Sequence, residues 1–211
     1  MNKHITQNII WSHNESEEEI FERIFRKNLW QSLESVSGKG SEIIATQDIL
    51  SNLPILLQKY NIKTILDAPC GDFNWIKHLA YKFDKYIGID IVEEIIANNK
   101  QYENNNTIFN VGNILNCYIP NVDLILCRDC FIHFTYKQIY ASIKNFKKSQ
   151  AKFILLTTYD IDTNHDIPTG QYRKINLLIP PLNFPKPLEV IREYPSNDNK
   201  YLALWKLEDL Q

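Results

Sequence analysis

The sequence lacks the features of membrane-spanning, secreted and nucleic-acid-binding chains. No apolar run approaches the roughly 18–20 residues that cross a bilayer. The opening segment MNKHITQNIIWSHNESEEE is polar and then acidic, without the apolar stretch of a secretory signal. Lys and Arg number 23 against 25 Asp and Glu, and no long basic block is present to neutralise phosphates. We therefore expect a cytoplasmic chain without a membrane span that does not act on nucleic acid.

Cysteine is too sparse for a disulfide framework, since four residues in 211 predict reduced thiols. Cys127 and Cys130 form one C-x-x-C pair, which Cys70 could approach across neighbouring strands. With His133 this set could bind zinc, but only one C-x-x-C is present and Cys127 closes an apolar strand. Buried neutral thiols are the favoured interpretation, and no metal is assigned.

What the chain does contain is an alternation of strands and helices. Its 211 residues suffice for one sizeable core but hardly for two domains. From residue 62, short apolar strands alternate with amphipathic segments, which favours a parallel sheet covered on both faces. The predicted strands are Lys63–Asp67, Tyr86–Asp90, Thr107–Val111, Val122–Cys127 and Phe153–Thr157. The predicted helices between them are NWIKHLAYKF, VEEIIANNKQY and YKQIYASIKNFKK.

The alternation stops after residue 158, and two last strands are predicted at Glu189–Tyr194 and Tyr201–Leu207. The polar turn PSNDNK between them favours an antiparallel hairpin. The predicted fold class is therefore α/β, with a mostly parallel, seven-stranded, Rossmann-like sheet that ends in this hairpin. A nicotinamide-binding fold would instead continue with parallel crossovers.

The N-terminal part predicts helices and a loop. Ile20 and Ile24 recur at helical spacing behind a possible cap at Ser16. The stretch SLESVSGKGSE is predicted as a loop, and TQDILSNLPILLQKY as a second helix that Pro54 ends or kinks. We expect residues 1–61 to form a helical segment packed on a core of residues 62–211, within one domain overall.

The strongest local signal is KTILDAPCGDFNWI, in which an apolar strand ends at Asp67 and a helix is predicted to begin near Phe73. In open α/β sheets, ligands bind at the carboxyl ends of strands, where the strand order reverses. Gly71 alone permits close approach of the backbone to a ligand, and Pro69 stiffens the turn. Asp72 would cap the helix and would repel a phosphate.

An acidic turn with a single glycine suits a cationic nucleoside better than a dinucleotide, whose binding turn uses three glycines. Asp90 ends the next strand, in YIGIDIV, 23 residues after Asp67. An acid at this separation from the first turn can accept hydrogen bonds from ribose hydroxyls. The turn resembles the donor-binding turn of S-adenosylmethionine-dependent methyltransferases, and this cofactor, which carries a sulfonium and an ammonium but no phosphate, fits the turn better than NAD. A turn without a ligand and an NAD-dependent enzyme are the alternatives.

Candidate catalytic groups follow the fourth strand, in CRDCFIHF. Asp129 and His133 are four residues apart and share a face if the turn is helical. Histidine has an unperturbed pKa near 6.5, so His133 could take a proton from a hydroxyl, although it could equally cap a helix or lie in the core. Arg128 could hold the cofactor carboxylate or an anionic acceptor, or form a surface ion pair. The turn lacks the Asn/Asp-Pro-Pro-aromatic sequence of enzymes that methylate amino groups of DNA bases.

The region 157–187 follows the last parallel strand, at the rim where an acceptor would sit. Tyr172, Arg173 and Asn176 are predicted to contact the acceptor, because loops around a rigid scaffold commonly set specificity. An ordered surface loop is the alternative. The region also contains four possible metal ligands, for which sequence spacing is weak support: Asp160, Asp162, His165 and Asp166.

Together these motifs resemble class I S-adenosylmethionine-dependent methyltransferases, in which five parallel strands are closed by an antiparallel hairpin. The chain further resembles a bacterial group with a DAPCGD motif. The shared features are Trp30, SVSGKGS, Thr46, DAPCGDFNW, GIDIV, CRDCFIHF and GQYRKINL followed by PP. Some members of this group take part in capsule and surface-polysaccharide biosynthesis, including the methyl phosphoramidate capsule modification.

The resemblance implies a set of cofactor contacts. Asp90 would bind the ribose, Ile91 would pack on the adenine, and Asn113 stands where the family often has an Asp that bonds the adenine amino group. The segment Gly38–Thr46 would fold over the cofactor as a lid. The implied cofactor-binding residues are Asp67, Ala68, Pro69, Cys70, Gly71, Asp72, Trp75, Asp90, Ile91, Asn113, Ile114, Arg128, Ser41 and Thr46.

The sequence therefore predicts an O-methyltransferase for a small polar acceptor, either a glycan-precursor hydroxyl or a phosphoramidate oxygen, with His133 or Asp129 as the base. One alternative is an N-methyltransferase that acts on a small amine. Another is a non-catalytic partner that keeps the fold, because Pro69, Asp72 and Phe73 stand where the family more often has glycine or small residues.

Overall fold

A computed structural model describes residues 15–193 and 199–210. Most of the segment in which no secretory signal is predicted falls in residues 1–14, outside the described residues. Most of the predicted PSNDNK turn falls in residues 194–198, which are also outside them. The seven strands are β1 Thr64–Asp67, β2 Lys85–Asp90, β3 Thr107–Val111, β4 Leu124–Cys127, β5 Phe153–Tyr159, β6 Glu189–Arg192 and β7 Lys200–Lys206. The α-helices are α1 Glu17–Arg26, α2 Ile43–Lys59, α3 Glu93–Asn99 and α4 Tyr136–Phe146.

The strands form one sheet in the order β3-β2-β1-β4-β5-β7-β6. β1 to β5 are parallel, whereas β7 lies antiparallel between β5 and β6. The predicted α/β class, the parallel strands and the C-terminal hairpin are confirmed. The chain reverses its direction of strand addition between β1 and β4, so the carboxyl ends of these two strands border a crevice.

Apolar side chains on alternate positions of the strands build a core on each face of the sheet. Leu66 and Ile125 point to the face that α4 covers with Ile139. Ile65 and Leu124 point to the opposite face, which α2 and α3 cover. This burial on both faces explains why the strands are short continuous apolar runs.

The predicted first helix is confirmed and begins with a reciprocal cap. The hydroxyl oxygen of Ser16 accepts a hydrogen bond from the backbone N–H of Glu19 at 3.2 Å, and the carboxylate of Glu19 accepts one from the Ser16 backbone. This pairing satisfies two helix-end donors. Ile20 and Ile24 are the buried residues of this helix, as the spacing predicted.

The predicted helix in NWIKHLAYKF is wrong, because only the 3₁₀ turn Ile76–His78 forms there. The sheet face above β1 is already covered by α2, whose Leu53 and Leu57 are fully buried in the same apolar cluster as Trp75 and Ile76. A second long helix at this position would compete for the same face.

Pro54 lies inside α2, which continues to Lys59, so Pro54 does not end the helix. None of the helices in the described part of the chain combines the length and apolarity that a membrane crossing requires.

Candidate active site

A cleft lies at the carboxyl ends of β1, β2 and β4, between the sheet and the N-terminal segment. The sheet side is lined by Asp67, Pro69, Cys70, Gly71, Asp72, Trp75, Asp90, Ile91, Val92, Ile95, Gly112, Asn113, Ile114, Arg128, Asp129, Cys130, His133 and Phe134. The N-terminal side is lined by Phe21, Phe25, Trp30, Val36, Ser37 and Ser41. Most of the residues predicted from sequence to hold a cofactor are thus brought together around one space.

Two buried carboxyl groups lie in this cleft, where β1 and β2 end. Asp67 and Asp90 are only 4% and 5% exposed. The hydroxyl of Tyr86 donates to Asp67 at 2.5 Å, and the backbone N–H groups of Gly71 and Val92 donate to Asp90 at 2.9 and 3.0 Å. Burial raises the pKa of Asp67 to about 7 and that of Asp90 to about 6. A positive charge in the cleft would favour the ionised form of both groups.

The bend after β1 meets the N-terminal segment at Gly71. Its φ is +54°, and a Cβ there would lie 2.2 Å from the Ser37 hydroxyl oxygen, so glycine is required. Asp72 does not cap a helix, as the sequence had predicted, because no helix begins there. Its carboxylate instead accepts hydrogen bonds from the Ser35 hydroxyl, the Val36 N–H and the Ser37 hydroxyl at 3.0, 2.9 and 3.1 Å. These three contacts are called the Asp72 latch below.

Arg128 and Asp129 belong to a buried cluster of four charged residues. Arg128 pairs with Glu193 at 2.6 Å and with Asp129 at 3.3 Å, and Lys200 pairs with the same two carboxylates at 2.9 and 2.6 Å. The Arg128 side chain is 4% exposed, so its interpretation as a surface ion pair is wrong. Although burial opposes the effect, Arg128 and Lys200 hold the pKa of Asp129 well below its usual range. Arg128 also donates to the carbonyl oxygen of Gly40 at 2.8 Å.

His133 ends the 3₁₀ turn Phe131–His133, and its ring is buried. Its Nδ1 lies 2.9 Å from the carbonyl oxygen of Gln171, which can only accept, so Nδ1 carries the proton. Burial lowers the pKa of His133. Among the described residues, Nε2 has no hydrogen-bond partner, which leaves its lone pair free for a proton.

A second cavity adjoins the cleft. The two spaces share Trp30, Ser37, Arg128, Asp129 and His133. The other residues that line the second cavity are Gly38, Lys39, Gly40, Ala45, Ile132, Tyr159, Tyr172, Glu193 and Lys200. Tyr172, predicted to contact an acceptor, therefore lines a cavity that does not contain the two buried acids and that lies beside the cleft.

Four residues predicted for the site do not line either space. Ala68 is fully buried in the core, and the Thr46 hydroxyl donates to a carbonyl of the preceding turn at 3.1 Å. Arg173 donates to the Phe134 carbonyl at 2.6 Å, and Asn176 donates to a carbonyl of its own loop at 2.9 Å. These three polar side chains therefore bond to the backbone outside the two spaces.

The predicted adenine contacts lie along one edge of the cleft. Ile91 and Ile114 line it, and so does Asn113. The Asn113 side-chain oxygen accepts from the Leu115 N–H at 3.0 Å, and its amide donates to Glu18 at 3.3 Å. The amide is therefore already oriented by α1 and by its own loop.

The cysteines are separate thiols. Cys70, Cys127 and Cys130 are buried and Cys117 is partly exposed. Burial raises the pKa of Cys70 and Cys130 well above the usual value. Within residues 15–193 and 199–210, no three His, Cys, Asp or Glu side chains converge as metal ligands.

Sequence reasoning missed several residues of the two spaces. Phe21 and Phe25 reach the cleft from α1, while Tyr159, Glu193 and Lys200 reach the second cavity from β5 and the ends of the C-terminal hairpin. No local motif marks them. Only the position of Tyr159 at the carboxyl end of a parallel strand was a signal that could have been used.

Comparison with known proteins gives one family match and many structural ones. Residues 65–151, from β1 through α4, match a family model described as a methyltransferase domain. No curated protein matches the chain. The fold resembles magnesium protoporphyrin IX methyltransferase from Synechocystis PCC 6803, at 14% identity and a TM-score of 0.64 over 92% of this chain and 98% of that one.

Two further solved structures share the fold. Human N-acetylserotonin methyltransferase matches at 14% identity and a TM-score of 0.62, over 91% of this chain and 60% of that one. An S-adenosylmethionine-dependent methyltransferase from Clostridium acetobutylicum matches at 12% identity and a TM-score of 0.54, over 76% and 91%. Residues 65–151 are thus a methyltransferase domain, the strand order is that of the class I fold, and the chain is an S-adenosylmethionine-dependent methyltransferase.

Proposed function

We propose that this enzyme transfers a methyl group to an oxygen of a small polar acceptor. The observation that carries the proposal is that the cleft and the second cavity lie side by side and share five lining residues. A cleft with two buried carboxyl groups adjoins a cavity whose walls include charged side chains, and His133 lines both. A donor held in the first space and an acceptor held in the second would meet beside a histidine whose Nε2 is free.

The cleft suits a cationic nucleoside. Asp67 and Asp90 are buried acids with raised pKa values, so a nearby sulfonium and ammonium would compensate their charge. Gly71 lets the backbone approach closely, and Asp90 is proposed to accept from the ribose. Ile91 would offer an apolar surface to the adenine, at the edge where Asn113 and Ile114 also lie. S-adenosylmethionine, when bound, supplies a methyl group on a positively charged sulfur.

His133 is proposed as the base, rather than Asp129. The carboxylate of Asp129 is held by Arg128 and Lys200, which keep its pKa low and make it a weak proton acceptor. His133 is neutral with its proton fixed on Nδ1, so Nε2 can take the hydroxyl proton as the acceptor oxygen takes up the methyl group.

Positioning is the larger contribution to rate. A general base contributes about 10²–10⁴-fold, whereas alignment of the two reacting groups contributes on the order of 7–11 kcal/mol. The N-terminal segment forms one wall of both spaces through Trp30 and Ser37, so it would hold donor and acceptor together.

The acceptor class that we propose is a glycan-precursor hydroxyl or a phosphoramidate oxygen. The second cavity supports a small polar acceptor, because it combines the aromatic side chains of Tyr159 and Tyr172 with the charged side chains of Lys39, Lys200 and Glu193. The resemblance to capsule-associated methyltransferases motivates the more specific choice. We also propose that the enzyme is cytoplasmic and acts on no nucleic acid.

The test begins with titration calorimetry using S-adenosylmethionine, S-adenosylhomocysteine and NAD. Binding of the first two without the third is expected, and no binding of S-adenosylmethionine would overturn the assignment of the cleft. Methyl-labelled donor is then incubated with sugar nucleotides, sugar phosphates, phosphoramidates and small amines. Label in an amine would favour N-methylation instead. Donor binding without turnover on acceptor-containing cell extract would favour a non-catalytic partner, the alternative that Pro69 and Asp72 motivate.

A further inference from the structure

The imidazole of His133 is covered on one face by the indole of Trp30. The ring centroids are 4.9 Å apart and the planes differ by 25°, which is a stacked arrangement. Trp30 comes from the loop between α1 and α2, far from the sheet in sequence. His133 is otherwise held by its own turn and by the Gln171 carbonyl. Two of the contacts that orient the ring therefore come from segments outside the matched domain of residues 65–151.

The position of Trp30 is itself determined by the loop. A Cβ on Gly38, whose φ is +92°, would lie 2.9 Å from the Cβ of Trp30, so the loop folds tightly against the indole. The Asp72 latch holds residues 35–37 to the bend after β1, and Arg128 holds the carbonyl of Gly40. Closure of the loop and stacking on His133 are therefore parts of one arrangement.

We propose that Trp30 is a positioning residue, which from the N-terminal loop holds the His133 ring with Nδ1 on the Gln171 carbonyl and Nε2 free to act as the base. This inference rests on the proposed role of His133. Under this inference, residues 30–41 do more than enclose the cofactor. They also take part in catalysis, because the His133 ring is correctly oriented only when these residues pack against it.

The pKa and the tautomer of His133 report on its surroundings, which include charged and polar neighbours. Asp129 lies in the same connection between β4 and α4, Arg173 and Tyr172 lie between β5 and β6, and Lys200 lies at the start of β7. Burial is the main cause that lowers the pKa of His133, and Trp30 supplies part of that burial. Removal of the indole should admit water to the ring and raise the pKa of His133 towards the ordinary 6.5. The proton should then be shared between Nδ1 and Nε2 instead of staying on Nδ1.

The experiment is an NMR titration of the protein labelled with ¹⁵N-histidine, which needs no acceptor. The chain has five histidines, and His133→Asn identifies the signal of interest. Trp30→Ala is expected to raise the pKa of His133 and to lower the share of the Nδ1–H tautomer, whereas Trp30→Phe keeps an aromatic ring and should resemble the wild type. Leu33→Ala is the control, because Leu33 lies in the same loop with its side chain in solvent.

An unchanged pKa and tautomer in folded Trp30→Ala would overturn the inference, and so would equal changes in Trp30→Ala and Trp30→Phe. If Trp30→Ala does not fold, Trp30→Leu keeps an apolar side chain that is smaller than indole and cannot stack, and it is expected to change the pKa and the tautomer in the same direction by a smaller amount. Donor binding is measured on every variant. Failure of the wild type to bind donor would count against the proposed function and leave the stacking result to be judged by itself.

Discussion

Asp67 is a buried acid whose burial costs the protein stability and which is proposed to bind the cationic cofactor. Its carboxyl group is buried, and its pKa is raised to about 7 because ionisation is unfavourable there. A folded-state value above the unfolded one near 3.9 means that stability falls as the pH rises from about 4 to about 7. The amide of asparagine has nearly the same shape, can still accept from Tyr86 and does not ionise.

We therefore expect Asp67→Asn to unfold at no lower temperature than the wild type at pH 8 while binding S-adenosylmethionine at least about tenfold more weakly, which corresponds to about 1.4 kcal/mol. Thermal unfolding and calorimetry measure the two quantities. Asp84→Asn, at an exposed turn, is the matched control. Wild-type affinity in Asp67→Asn would show that this carboxylate does not face the cation.

His133→Gln should lower turnover at least a hundredfold, because a glutamine can occupy the site but cannot take a proton. Donor affinity should change less than threefold, since the proposed donor contacts lie at and just beyond the ends of β1, β2 and β3. Initial rates with saturating donor, together with calorimetry, separate the two effects. Near-normal turnover would assign His133 a structural role.

At the scale of elements, the loop between α1 and α2 is joined to the sheet at a small number of points. The Asp72 latch contributes three hydrogen bonds to a carboxylate, each of the kind worth about 1.5–3 kcal/mol. Arg128 adds a bond to the Gly40 carbonyl, and the same arginine connects β4 to the hairpin through Glu193. The loop is thus attached both to the bend of the cleft and to the ion cluster of the second cavity.

Asp72→Asn weakens the latch, because an NH2 group, which cannot accept a hydrogen bond, replaces one of the two accepting oxygens. We expect faster hydrogen exchange at residues 35–37 and faster release of S-adenosylhomocysteine, with exchange in β1 and β4 unchanged. Exchange mass spectrometry and stopped-flow fluorescence measure these rates. Equal exchange in the variant and the wild type would mean that other contacts hold the loop.

At the scale of the whole molecule, two buried acids line the cleft in which we propose that the cationic cofactor binds. Asp67 and Asp90 have pKa values of about 7 and about 6 in the empty protein. A bound cation favours their ionised form, so affinity for S-adenosylmethionine should fall as the pH falls through these values, by up to about tenfold per unit for each group. S-adenosylhomocysteine lacks the sulfonium and should show a smaller dependence. Parallel calorimetric titrations from pH 8 to pH 5 test this, and identical profiles for the two ligands would contradict it.

The sequence by itself determined the sheet and the sheet side of the cleft. Strand boundaries were predicted to within a few residues, and Asp67, Gly71 and Asp90 were predicted to meet, because apolar runs and strand-end acids are local patterns that parallel topology brings to one edge. The helix in NWIKHLAYKF was predicted wrongly, since amphipathic spacing does not reveal that α2 already covers the face. Asp72 likewise looked like a helix cap until the fold placed Ser35 and Ser37 beside it.

Only the tertiary structure decided how the second cavity is built. Arg128 and Asp129 are adjacent in sequence, yet their partners Glu193 and Lys200 arrive from a hairpin more than sixty residues later. Trp30 reaches His133 from the other end of the chain. Such contacts depend on how distant segments pack, and no local pattern encodes that packing. The sheet side of the cleft follows from short-range sequence, whereas its N-terminal side, the orientation of His133 and the second cavity depend on long-range contacts.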